Sequence, residues 1–494
     1  MSDPAAEEQH LLTRGGVAAL TIAVGVLSVL VLASCAVVAI AHIEDDNGAI
    51  GPWTALAQYV NSGTFYPPLY HDGYYGGTRY MPLQMALYAV GSRISGEYLV
   101  SGKVIAFLIA VALVALVFRI LTRLGCPRVL ALALVSAILV TRQGLLSTTN
   151  IAGDTLPVVL QLGGVSLVAR EVSRRRTVAA AALCALGFLS KLNAVWGFAA
   201  ILLCLALHHP RKVPVFVAAF VGFVGTALAI LHLVTAGRML DSIRLGLHAS
   251  PSGQEPIAFS FGRVLSYVQA EPAVWLLFPI ALVAVVSSIA RKRSSVYEIG
   301  LLAALVVLLI TLTDEGAVFN HLIDVDVLTV VAVGILAVAV RLGGSETHVL
   351  YGSILAALVL GLGASYYTNL GPATRKALRV GGYAARPLGS SVSKTDSILS
   401  EDPYVPVSLG LRPVVLDAFM LARIAQARPA LVETLVRRIE RREFDVVVLI
   451  ERLDPTGSWY TRFDFGRAVA TAIADNYHLA QTVGGYYVYR PGKG

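Results

Sequence analysis

The chain has 494 residues, 56% hydrophobic and only 14% charged, with a mean hydropathy of +0.71. Soluble domains carry about 25% charged residues, so a soluble globular protein is excluded. The net charge of +8 does not imply nucleic acid, because the basic residues fall in short runs between apolar segments, where membrane topology uses them.

Residues 1–16 form a polar tail with Glu7, Glu8 and Arg14. The first apolar run spans about 17–41. Its stretch LASC, residues 32–35, resembles a lipoprotein cleavage box, but the run continues to Ala41 and many more follow, so it reads as part of a span. Three carboxylates, Glu44, Asp45 and Asp46, then stand at the mouth of this span. They open a polar loop over 42–98 that is dense in Tyr, Gly and Pro, which predicts an ordered loop with short interfacial helices. Residues 82–94 are apolar but too short to span comfortably.

Further spans are expected at about 100–120, 129–147, 152–170, 177–189, 192–207, 213–234, 273–290, 297–313, 324–341 and 348–367. The two around Lys191 are short and suggest a tight helical hairpin. The total is about eleven. After Tyr367 the composition changes. Short β-branched runs such as EFDVVVLI alternate with amphipathic stretches such as ALVETLVRRIERR, which predicts a small α/β domain over 371–494. The expected organisation is a tail at 1–16, a membrane domain at 17–370 with a large first loop at 42–98, and the α/β domain at 371–494.

The loop charges set the orientation. Arg123 and Arg128, the run Arg170 to Arg176, Arg211 with Lys212, Arg291 to Arg293, and Arg341 fall on the same side as Arg14, which the positive-inside rule makes cytoplasmic. The other face collects Glu44, Asp45, Asp46, His71, Asp72, Arg79, Asp154, Lys191, Asp241, His248, Asp314, Glu315, Asn320 and His321. With an odd number of spans it also receives the C-terminal domain. Polar groups from distant segments on one outer face are what a site cut into the outer leaflet requires.

Each candidate has two readings. Asp45 and Asp46 are either a solvated helix end or a general base for an acceptor hydroxyl. Lys191, flanked by apolar residues, is either a snorkelling side chain or a cation that steadies a lipid-phosphate leaving group. Asp154 either complements a helix dipole or serves the site. Asn320 and His321 either bind sugar or phosphate, or cap the helix that follows. His71 and Asp72 either touch the acceptor or are turn residues. The four cysteines, Cys35, Cys126, Cys184 and Cys204, lie in or beside apolar segments without metal-ligand spacing and read as core. There is no Walker loop, dinucleotide fingerprint, HExxH or nucleophile elbow.

The order of an acidic pair in a large first loop, GTRYMPLQMALYAVGSRI, GDTLPVVLQLGGVSLVAR, GFLSKLNAVW and GAVFNHLID resembles the GT-C membrane glycosyltransferases. The resemblance is to the bacterial branch related to protein O-mannosyltransferases and lipid A aminoarabinose transferases. It implies a polyprenyl-phosphate sugar donor and inverting transfer on the outer face of the cytoplasmic membrane. The acceptor would be a hydroxyl of a glycan, lipid or protein. It further implies that Asp45 or Asp46 activates that acceptor and that Lys191 lies near the donor phosphate. Asp154, Tyr80 with Pro82, and Asn320 match other family positions, with Arg79, His71, Asp72 and His321 as neighbouring candidates. No cofactor is implied, and no dedicated metal cage is readable, although some relatives with other acceptors require a divalent metal.

Two rivals stand beside this reading. A transporter or lipid flippase would also have many spans, with internal repeats and broken helices at mid-depth. No repeat relates the two halves. A scaffold whose outer domain binds a partner is the third.

Overall fold

The computed structural model describes residues 4–41, 50–247, 256–314, 317, 319–341, 347–380, 388 and 391–492. Asp45 and Asp46, with Glu44, His248 and Glu315, lie outside the described residues. In chain order the helices are α1 (Pro4–Ala41), α2 (Ile50–Asn61), α3 (Pro82–Ser95), α4 (Tyr98–Arg123), α5 (Arg128–Leu139), α6 (Arg142–Thr149), α7 (Thr155–Arg170), α8 (Arg174–Ser190), α9 (Trp196–His208) and α10 (Val213–Val234). They continue as α11 (Arg238–Leu247), α12 (Ile257–Ala270), α13 (Pro272–Ala290), α14 (Val296–Thr311), α15 (Ile323–Arg341), α16 (Thr347–Ser365) and α17 (Gly371–Val380). The C-terminal part adds β1 (Ile398–Ser400), α18 (Tyr404–Ser408), α19 (Ala418–Ala427), α20 (Pro429–Glu440), β2 (Val446–Leu449), α21 (Arg467–Asn476), β3 (Tyr477–Val483) and β4 (Tyr486–Pro491).

Among the described residues, six helices are long and apolar enough to cross a membrane, and a bent pair, α5 with α6, makes a seventh. The chain is a multi-pass membrane protein. Every apolar run read from the sequence is helical, including the shorter α7, α8, α9 and α14. The expected continuous span at 129–147 is instead broken, with α5 and α6 meeting at 85°. Thr141 causes the break. Its hydroxyl donates to Ile138 O (2.9 Å) and accepts from Gly144 N (3.0 Å), so it ends one helix and caps the next. A Cβ on Gly144 would collide with the Ile138 carbonyl, so the corner requires glycine.

The chain forms two compact units. The first comprises 1–42, 106–224 and 254–383. In it α1 packs on α5 and α16, α13 on α15 and α16, and α14 on α9 and α15. Most of α15 is buried, which makes it the central helix. The close crossing of α13 and α16 depends on Gly361, where a Cβ would lie 2.9 Å from Ala273 Cα.

The tight hairpin expected around Lys191 does not form. Helix α8 packs chiefly on α7, and α9 on α14. Gln161 of α7 is the reason. Its amide donates to Cys184 O (3.1 Å) and Ala194 O (2.6 Å), and its carbonyl accepts from Phe198 N (3.1 Å). Gly187 and Gly197 leave room for this side chain, since a Cβ at either would strike it. A buried amide wedged there holds α8 and α9 apart, bonding to the α8 backbone, to the linker and to the open Phe198 N–H in the first turn of α9.

The second unit comprises 43–105, 225–253 and 384–494. Its sheet has the order β1-β2-β4-β3, with β1 parallel to β2 and the other pairs antiparallel. A parallel pair needs a crossover, and α19 and α20 lie in that connection. Gly484 and Gly485, both at positive φ, turn the β3–β4 hairpin. All four residues of β2 are buried because both faces are covered. Val447 and Leu449 pack with the helices, while Val446 and Val448 pack with Ile398, Val405 and Val488.

The first loop belongs to this unit. Tyr75 pairs with the backbone of Val414 and Leu416, and its hydroxyl donates to Leu431 O (2.9 Å). Arg412 lies over the rings of Tyr59 and Tyr74, at 4.7 and 4.3 Å.

Behind the sheet, Glu401 accepts from Ile450 N, Trp459 Nε1 and the Tyr460 hydroxyl, and it hydrogen-bonds Asp464. Burial, then the Glu401 and Asp417 carboxylates, push Asp464 well above the usual carboxylate range. Burial also raises Glu401. The folded pair therefore holds a proton that the unfolded chain releases, and its stability contribution falls as pH rises above about 4, the unfolded carboxyl value.

Two predictions follow from this packing. Gly361→Leu is expected to cost about 1–3 kcal/mol by overpacking, whereas Gly363→Leu, with nothing within 4 Å of its Cβ position, should be nearly neutral; thermal unfolding in detergent compares them. Asp464→Asn should flatten the loss of protection that wild-type β2 amides suffer as pH rises above about 4. Hydrogen exchange corrected for intrinsic rate reads this, and equal pH dependence in both proteins would contradict it.

Candidate active site

The membrane unit brings together four of the residues singled out from the sequence. Asp154 stands at the N-terminus of α7, Lys191 at the C-terminus of α8, and Asn320 and His321 in a 3₁₀ turn, Phe319–Leu322, that leads into α15. Lys191 Nζ lies 2.5 Å from Asp154 Oδ1 and 3.0 Å from His321 Nδ1. Asn320 Nδ2 donates to the same Asp154 oxygen at 3.0 Å. Asp154 is only 6% exposed and Lys191 is 23% exposed, so neither charge is answered mainly by water.

The geometry shows what three of these side chains touch. Asp154 makes no side-chain cap bond to α7; its carboxylate is spent on Lys191 and Asn320. Lys191 is ion-paired and does not simply snorkel. Asn320 reaches Asp154 and not the following helix. Both charges also sit at favourable dipole ends, an acid at a helix start and a base at a helix finish.

His321 Nδ1 faces two donors, Lys191 Nζ and Asn193 Nδ2, each at 3.0 Å. It must therefore accept, which assigns the ring proton to Nε2. Two Lys191 N–H groups are thus committed, to Asp154 and His321. Asn320 Oδ1 is buried and accepts no hydrogen bond among the described residues.

Two participants went unremarked in the sequence. Asn193 bridges His321 and Thr311. Asp324 accepts from Trp196 Nε1 at 2.8 Å and lies within electrostatic reach of Lys191. The signals were short: Asn193 is two residues past Lys191, and Asp324 is four past Asn320, one helical turn away. A second buried polar group lies near the α5–α6 break. Glu271 accepts from Arg142 N (3.0 Å) and Asn369 Nδ2 (2.9 Å), and Asp326 accepts from Thr141 and Gln143.

The remaining candidates belong to the second unit. Arg79 is exposed, with its guanidinium 3.9 Å over the Phe419 ring, and Tyr80 stacks on Trp53 with centroids 4.3 Å apart. His71 and Asp72 are exposed and 3.2 Å apart. Asp72 and Gly73 take φ of 49° and 81°, the geometry of a hairpin turn, so turn formation accounts for both. Among the described residues there is no group of three or more His, Cys, Asp or Glu side chains able to hold a metal.

The architecture matches solved membrane enzymes. ArnT from Cupriavidus metallidurans superimposes with a TM-score of 0.58, both bound to undecaprenyl phosphate and in the apo state; the match covers 93% of this chain and 97% of that one at 11% identity. The fold is GT-C. The oligosaccharyltransferase of Archaeoglobus fulgidus in its apo form has the same GT-C architecture, with a TM-score of 0.51 over 96% of this chain and 74% of that one at 14% identity. No family model matches the sequence, and neither does any curated protein. At these identities the likeness is one of fold, and the GT-C framework is what places Asp154, Lys191, Asn320 and His321 side by side.

The charge pair itself is testable. Asp154→Asn and Lys191→Met should each destabilise the detergent-purified protein, and the double variant should recover part of the loss. The coupling expected for such a pair is about 0.5–3 kcal/mol. Strict additivity in thermal unfolding would mean that the two side chains do not depend on each other.

Proposed function

We propose that the chain is a membrane glycosyltransferase that moves a sugar from a polyprenyl-phosphate donor to an acceptor hydroxyl, with inversion. The observation that carries this is the buried Lys191–Asp154 pair with Asn193, Asn320 and His321 around it, set at converging helix ends of a GT-C fold. ArnT, of the same fold, is solved with undecaprenyl phosphate bound, which supports the same class of lipid carrier here.

The chemistry assigns each group a task. A carboxylate of the first loop, Asp45 or Asp46, takes the proton of the acceptor hydroxyl. The resulting oxygen attacks the anomeric carbon as the bond to the phosphate oxygen breaks, and polyprenyl phosphate leaves with the bond's electron pair. The uncommitted N–H of Lys191 meets the charge growing on that phosphate. Asp154 pairs with the ammonium and aims it. The unfilled Asn320 Oδ1 accepts from a sugar hydroxyl. In this reading the site lies on the outer face of the inner membrane, with the N-terminus inside and the C-terminal domain outside. The acceptor is a glycan, lipid or protein.

One observation favours a transporter as the second reading. The broken α5–α6 pair beside buried Asp326 and Glu271 is the kind of discontinuous helix that transporters place at their substrate sites.

One experiment separates them. Purified protein is given a panel of radiolabelled polyprenyl-phosphate sugars, and sugar transfer or release is followed. Wild type should turn over at least one donor. Either Asp45→Asn or Asp46→Asn should lose about 10²–10⁴-fold while remaining folded. Lys191→Ala should lose about 10²–10³-fold. No turnover with any donor, together with unchanged function in cells for all three variants but loss at Gln143 or Asp326, would replace the transferase by the transporter.

A further inference from the structure

The α7 helix has a second chemical end. Where Asp154 starts it, Arg170 finishes it, about 24 Å away for 16 residues. Beside Arg170 is a cavity of about 520 Å³, bounded by the C-terminal ends of α4, α7 and α9 and by the start of α14. Four basic side chains line it: Arg123, Arg170, His208 and His209. None of the candidate active-site residues lines it.

We propose that this cavity binds the phosphate of an anionic glycerophospholipid from the adjoining leaflet. The first argument is charge. Arg123 and Arg170 lie within electrostatic reach of one another and of Tyr297. Neither has an ion-pair partner among the described residues. Of the two nearby acids, Glu171 is taken by Arg176 at 2.9 Å, and Glu298 is buried in the α14 capping box with Ser295. Glu171 lines the cavity but is paired with Arg176, so two guanidinium groups brought together without a carboxylate of their own leave a positive potential that an anion relieves.

The second argument is the wall. Helix α14 begins in the cavity. Its capping box uses the N–H groups of Ser295 and Glu298, while those of Val296 and Tyr297 have no partner within the helix. Helix starts favour phosphate oxygens. The third is amphipathicity. Leu124, Val168 and Val172 give the cavity an apolar side. Leu207 in the last turn of α9 and Leu203 one turn before it are exposed apolar residues that an acyl chain could lie against. A cationic mouth with apolar flanks at the end of a membrane helix bundle fits a lipid headgroup better than a soluble anion.

The inference rests on the chain being a membrane protein and not on its being a transferase. Native mass spectrometry of the detergent-purified full chain, with added phosphatidylglycerol, phosphatidylcholine or glycerol 3-phosphate, tests it. Wild type should retain phosphatidylglycerol, and Arg123→Gln/Arg170→Gln should weaken that retention roughly 10- to 30-fold, the loss expected for two basic groups at an anionic surface. Arg123→Lys/Arg170→Lys should restore most of it. Arg291→Gln/Arg293→Gln, a basic pair outside the cavity, should retain phosphatidylglycerol like wild type. Equal retention by the Gln pair, an equal loss in the Arg291/Arg293 control, equal retention of phosphatidylcholine, or capture of glycerol 3-phosphate without the lipid would each overturn the proposal. A melting temperature for every variant separates lost binding from lost fold.

Discussion

A lysine among apolar residues at the end of a membrane helix must have its charge answered, and the arrangement around Lys191 follows from that demand. Removing an ammonium group from water costs several kcal/mol unless a partner and hydrogen bonds replace the solvent. Asp154 supplies the charge, and His321 supplies a second acceptor. Each partner then needs its own support. Asn320 holds Asp154, Asn193 holds His321, and Trp196 holds Asp324 beside them. Helix ends from α7, α8, α9 and α15 are thereby fixed to one point by polar contacts that have no alternative partner in lipid.

The same logic explains Gln161. Its amide could not be left bare between α7, α8 and α9, and it is satisfied by a backbone carbonyl of α8, one of the linker and an N–H in the first turn of α9. A polar side chain on an apolar helix thus sets the spacing of its neighbours. It also sets the geometry of the site, because Lys191 is the residue at which α8 stops.

Much of this was legible in the sequence, and the parts that were not share a cause. Long apolar runs bounded by Arg and Lys announce helices without further help, and the alternation in EFDVVVLI announces β2. Lys191, Asp154, Asn320 and His321 stood out because each is a polar residue in apolar surroundings. Their mutual contacts span up to 166 positions, which no local pattern encodes. The break at Thr141 was hidden because Val140 and Leu139 keep the run apolar up to the corner, and the cap and Gly144 that make the bend look ordinary alone. The attachment of the first loop to the sheet domain was hidden for the opposite reason. It depends on Tyr75, Arg412 and Tyr59, residues common in any aromatic loop, meeting across more than 300 positions.

The two ends of α7 show how burial separates a structural charge from an available one. At Asp154 the carboxylate is buried and its Oδ1 accepts from both Lys191 and Asn320, so the charges are held in one geometry and can act only on what is brought to them. At Arg170 the surroundings are open, the nearby acids are engaged elsewhere, and the basic groups keep their capacity to attract. A locked pair suits a transition state, because preorganised groups need not reorient as charge develops. An open cluster suits a mobile lipid, because exposed charges bind weakly and exchange. One helix of 16 residues therefore carries a fixed electrostatic element at one end and an adaptable one at the other, and the difference is made by how many acceptors the fold places around each cation.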